Sequence, residues 1–103
     1  MDGDIINLQD LFDEKIEVPL YENFTLKHVE SLSNLANDTV DMYVKLDVPR
    51  EKLSDELRQY LTEVFTKNIT LHNSDNLSFE LVRDLLVVKA VGKIEAIKNS
   101  KKN

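Results

Sequence analysis

Two imidazoles, His28 and His72, are the only side chains in this sequence whose ordinary titration falls near neutral pH. They are the first place to look for proton transfer or metal ligation. They stand far apart in the chain, and neither has a second ligand or base at motif spacing, so they make no zinc signature. His28 falls in the first turn of a helix and His72 in a polar loop, and both are read as surface or boundary residues. Cysteine is absent, which removes thiol nucleophiles, thiolate metal sites and disulfides. Ser54, Ser74 and Ser78 lack the glycine-flanked elbow of the hydrolases. Asp38 with Asp41, and Glu51 with Asp55, share helix faces, but a divalent cation needs further converging oxygens, and no calcium-loop pattern is present. With Gly3 and Gly92 as its only glycines, the chain builds neither a dinucleotide loop nor a phosphate cradle. The reading is therefore no catalytic residues, no metal and no cofactor. A small enzyme would need a pocket where His28 or His72 meets a carboxylate.

The elements that carry these residues are mostly helical. Thr25 can cap a helix whose apolar stripe runs through Leu26, Val29, Leu32, Leu35 and Ala36, then Val40, Tyr43, Val44 and Leu46. Asn37-Asp38-Thr39 is a polar patch able to bend or split it. Asp47-Val48-Pro49 stops it, because a residue before proline is pushed out of the helical region. Pro49 suits the first position of the next helix. Leu53, Leu57, Tyr60, Leu61, Val64 and Phe65 line one face of that helix, and polar residues cover the other. Residues 68–76 read as a loop, with Asn73-Ser74-Asp75-Asn76 as turn formers or caps. From Leu77 an apolar pattern runs to Asn99. Residues 85–91 have the β-branched content of a strand, while the length of the pattern favours a helix. Such a helix, apolar around much of its circumference, sits centrally or faces a second subunit.

The first 24 residues differ. Ile5, Leu8, Leu11 and Phe12 fall at near-helical spacing, which predicts a short N-terminal helix. Ile16, Val18 and Leu20 alternate with polar residues and Pro19, which predicts a short β-hairpin near 16–26 turning at Glu22-Asn23, with Pro19 on an edge. The string Leu8-Gln9-Asp10-Leu11-Phe12 resembles the clamp-binding peptides of replication proteins that end in Leu-Phe, with its glutamine one place late; this does not carry a family assignment. The expected fold is mainly α: a small helical bundle of three longer helices, a short N-terminal helix and that hairpin. The expected organisation is an acidic arm over 1–24, a helical core domain over 25–98 and a frayed basic tail over 99–103.

Charge is segregated along the chain. Seven carboxylates stand against Lys15 in residues 1–24, and five lysines stand against Glu95 in residues 85–103. Those lysines lack interleaved aromatics and belong to a protein of net charge -6, which argues against a nucleic-acid partner. No apolar run approaches the roughly 20 residues that cross a bilayer, and the acidic start is unlike a signal peptide, so the expectation is a cytoplasmic protein with no membrane partner. Four Asn-x-Ser/Thr triplets, from Asn23, Asn37, Asn68 and Asn76, reflect asparagine abundance in that setting. The abundance of lysine, asparagine and isoleucine is a bias that often reflects AT-rich coding in low-GC bacteria or their phages, which fits a phage accessory protein.

With no catalytic set, the expected function is a protein-binding module: a small adaptor, assembly chaperone or regulator whose partner is another protein or a further copy of itself. The expected partner-binding residues are Ile5, Leu8, Leu11 and Phe12 in the arm, and Val87 and Val91 in the apolar surplus of the last helix. The alternative is an acidic inhibitor that imitates nucleic acid to block a DNA-binding protein. It would gather carboxylates of the head with Glu51, Asp55, Glu56 and Glu63 on one surface.

Overall fold

A computed structural model describes residues 5–7 and 17–101. Three helices dominate: α1 (Leu26–Leu46), α2 (Arg50–Phe65) and α3 (Asn73–Lys101). They pack together as the expected mainly α bundle, with α3 as the spine against which α1 and α2 lie. A two-stranded antiparallel sheet, β1 (Ile5–Asn7) and β2 (Glu17–Pro19), closes one end, with Ile6 opposite Val18.

The start of the chain corrects the sequence reading twice. Residues 5–7 are a strand, not the beginning of a helix; Ile5 and Ile6 are β-branched and find backbone partners in β2. The rest of the expected helix, with Leu8, Leu11 and Phe12, lies outside the described residues. The hairpin partner of 17–19 is β1 and not 24–26. The tight turn at Glu22-Asn23 does form, since Tyr21 and Phe24 exchange backbone hydrogen bonds of 3.1 Å across it. Pro19 lies at the end of the β2 ladder, opposite Ile5, where its missing N–H does least harm. Val18 and Phe24 are fully buried in the same core as the helices.

α1 runs unbroken through Asn37-Asp38-Thr39. The expected split is absent, and the buried Thr39 hydroxyl is paired, donating to the Ala36 carbonyl at 2.6 Å. Asp47 ends α1 in the left-handed region (φ 54°), a conformation that aspartate tolerates better than most side chains. Pro49 then caps α2, one place before the expected position. Leu53, Leu57 and Leu61 of α2 are buried, with Tyr60 and Phe65 packed half-buried beside them.

α3 is continuous over residues 73–101, about 43 Å at 1.5 Å per residue. It therefore includes 85–91 as helix, begins four residues before Leu77 and absorbs residues 99–101 of the expected frayed tail. Asn73-Ser74-Asp75 serve as its first turn. Asp75, only 4% exposed, is the fastening at this end. Its carboxylate accepts from the His72 backbone N–H (3.1 Å), the Asn23 backbone N–H (3.3 Å) and the Asn23 amide (3.2 Å). Ser78 adds a bond to the Pro19 carbonyl at 2.8 Å. Phe24, Phe65 and Phe79 fill the space behind, with ring centroids 5.1–6.0 Å apart. No helix of the described residues is long and apolar enough to cross a membrane.

Candidate functional site

α3 meets neighbours on two sides. α1 lies along the flank of Leu86, Ala90 and Lys93, where Lys93 Nζ donates to Asn37 Oδ1 at 3.1 Å. α2 lies along the opposite flank, where Arg58 pairs with Asp84 at 3.2 Å, Arg83 donates to the Thr62 hydroxyl at 3.1 Å and Arg50 pairs with Glu95 at 2.6 Å. Between those flanks runs a strip of α3 that neither helix covers. At 100° per residue, Leu77, Leu81, Val88, Gly92, half-buried Leu85 and Ala96 share that strip. Leu77 is 70% exposed, Leu81 43% and Val88 71%, and a Cβ placed on Gly92 would meet nothing within 4 Å.

The sequence-predicted binding residues fare unequally. Ile5 lies in β1; Leu8, Leu11 and Phe12 lie outside the described residues. Val87 is 2% exposed and belongs to the core, its direction on α3 being the one that α1 and α2 cover. Val91 is half-buried against that core. The outward residue of the apolar run is Val88, and Leu77 and Leu81 extend its face toward the helix N-terminus. Period-3.6 spacing of 77, 81 and 88 was the signal available in the sequence. A helix apolar nearly all round gave no sign of which side would stay uncovered.

The histidines do come together. His28 and His72 line one shallow cleft of about 380 Å³ with Glu22, Asn23, Asn68, Ile69 and Thr70. Glu22 makes no hydrogen bond with either imidazole among the described residues, and no group of three His, Asp or Glu side chains there could hold a metal ion. His28 has a structural occupation. Its Nδ1 accepts the Thr25 backbone N–H at 3.1 Å, taking the place that glutamate or glutamine fills in a capping box, and its ring stacks beside Phe24 and against the edge of Phe65. The proton of its neutral form is thereby on Nε2. The His72 side chain is exposed, and its backbone N–H is one of the three donors to Asp75.

A second, open cleft of about 750 Å³ lies where the α1–α2 corner meets the end of α3. Its charges are matched internally: Arg50 with Glu95, whose buried Oε1 accepts no further hydrogen bond, and Lys98 with Asp47 at 2.9 Å and the Val48 carbonyl at 3.3 Å. On α2, Glu51, Asp55, Glu56 and Glu63 are all exposed, but Arg50, Lys52 and Arg58 interrupt them, and Asp55 pairs with Arg58 at 3.1 Å. Glu56 and Glu63 border Tyr43 and Tyr60. Burial, then the charges of Glu56, Tyr60 and Glu63, hold the Tyr43 hydroxyl above its ordinary value near 10. Comparison with the models of known protein families, with curated proteins and with solved structures gives no match.

Proposed function

We propose that this chain is a non-enzymatic protein-interaction module, an adaptor, assembly chaperone or regulator acting in the cytoplasm, and that the uncovered strip of α3 is its principal contact. The observation that supports the reading is the alignment of Leu77, Leu81 and Val88 on a face that no other part of the described chain occupies. Fully burying such a side chain is worth roughly 1.5–3 kcal/mol before the cost of association, so the three would supply part of the anchor for a partner. The arm residues Leu8, Leu11 and Phe12 form a second, separate contact in this reading, one suited to a groove.

Capture experiments with the immobilised protein and a host extract test both contacts. Val88→Asp removes a host protein that binds α3, while Leu11→Ala with Phe12→Ala removes one that binds the arm, in each case with unchanged circular dichroism. Loss of helical signal in the Leu11/Phe12 variant would instead assign those residues to the core. Retention here is governed by apolar contact and changes little with salt. Binding that collapses as salt rises would favour the acidic-mimic alternative.

A further inference from the structure

A corner of two tyrosines rimmed by glutamates lies between α1 and α2, and we infer that it takes the guanidinium of an arginine side chain presented by a partner polypeptide. The inference is independent of the uncovered strip of α3.

The cleft holds about 220 Å³ and is lined by Tyr43 of α1 with Glu56, Gln59, Tyr60 and Glu63 of α2. Glu56, Tyr60 and Glu63 follow one another at four and three residues, so the helical period puts them on one face. Tyr43 and Tyr60 meet edge to face, with ring centroids 6.2 Å apart and planes at 84°. That corner is the apolar part of the site, and Glu56 and Glu63 stand exposed at its rim. Among the described residues neither carboxylate is paired with a cation. Glu63 Oε1 accepts the neutral Gln59 amide at 3.2 Å, while Lys52 and Lys67, one turn to either side, make no ion pair with them. The negative charge at the rim is therefore not compensated locally.

A buried polar group supplies a second, separate indication. Tyr43 is 6% exposed, yet its hydroxyl makes no hydrogen bond among the described residues. Buried hydroxyls are ordinarily paired, so one without a partner at the wall of a cleft leaves a place for a ligand atom. Burial, then the charges of Glu56, Tyr60 and Glu63, disfavour its ionisation. Those charges act on the phenolic oxygen because it faces them, and the hydroxyl stays neutral and able to accept from a cationic N–H.

A guanidinium answers all of these features together. It is planar, stacks on aromatic rings, and carries five N–H donors that point to more than one side. Glu56 and Glu63 are about 10.5 Å apart along the helix axis, so their side chains can approach it from two sides while the Tyr43 oxygen accepts a third bond. An ammonium is a compact, strongly hydrated point charge and satisfies fewer of these groups at once.

NMR titration of the isotope-labelled full chain with N-acetyl-arginine amide tests the assignment, since that probe carries the side chain as it stands in a polypeptide. The expected result is saturable shifts at residues 43, 56, 59, 60 and 63 that weaken as salt rises. The citrulline counterpart, of the same shape and without the charge, gives none, and the lysine counterpart binds more weakly. Glu56→Gln with Glu63→Gln abolishes the shifts. Tyr43→Phe keeps the ring, removes the hydroxyl and weakens binding about three- to tenfold. Should Tyr43→Phe disturb the fold, the exposed glutamate pair still decides. No saturable shifts at millimolar probe, equal shifts with citrulline, or shifts that survive the double glutamine variant overturn the inference. Lysine binding as tight as arginine overturns the guanidinium, and tighter binding of free arginine than of the capped form overturns the polypeptide source. Val88→Asp changes none of these results, so failure here is distinct from failure of the α3 contact.

Discussion

Val87 and Val88 are neighbours of the same residue type, yet one is sealed in the core and the other is 71% exposed. The 100° step between them carries the chain from a side that α1 and α2 cover to a side that nothing described covers. A single apolar run on one helix thus serves two ends: its inward residues hold the fold, and its outward residues contribute nothing to that and remain available to another surface. At the start of α3 the contrast is reversed. There a polar residue, Asp75, is buried and structural, binding the turn at Asn23 to the start of α3.

Substitutions that exchange these roles break the contrast if it is false. Val87→Asp places a charge in the core, and its cost exceeds about 4 kcal/mol, enough to abolish the cooperative melt by circular dichroism. Leu61→Asp in α2 behaves alike. Asp75→Ala strands three donors at a buried site and lowers stability by about 1–3 kcal/mol in urea titrations. Gly92→Ala acts in the stabilising direction, by up to about 1 kcal/mol, because the added methyl meets no neighbour and the unfolded chain loses freedom; the check is a raised melting temperature in dilute solution. Val88→Asp has the smallest effect on folding, within about 0.5 kcal/mol, and the largest on association. Equal destabilisation by Val87→Asp and Val88→Asp would erase the distinction.

What the sequence made legible follows from the range of the interactions involved. α2 was legible because Leu53, Leu57 and Leu61 repeat at helical period against a polar face, a purely local signal. The α1–α2 corner was legible because Val48-Pro49 restricts its own backbone. β1 was not, since Ile5 and Ile6 fit either element until their partners in β2, more than ten residues on, are known. The start of α3 was misplaced because Asn73-Ser74-Asp75 have the composition of a loop, and only a contact with Asn23, 52 positions away, shows that Asp75 belongs inside. His28 as a helix cap was open to recognition from its spacing three residues after Thr25, but capping boxes are ordinarily sought with glutamate or glutamine in that place. The candidate site divides in the same way. Helical period placed Leu77, Leu81 and Val88 on one line, whereas the choice of Val87 or Val88 as the outward residue depended on where α1 and α2 dock.

Thiol labelling of the Val87→Cys and Val88→Cys variants, in a chain with no cysteine of its own, measures that outward face most directly. In dilute solution the thiol at position 88 should react as fast as a free thiol, while the thiol at position 87 stays protected. Equal protection of both at high dilution would mean that the chain covers this face itself, and α3 would then have no surface left for a partner.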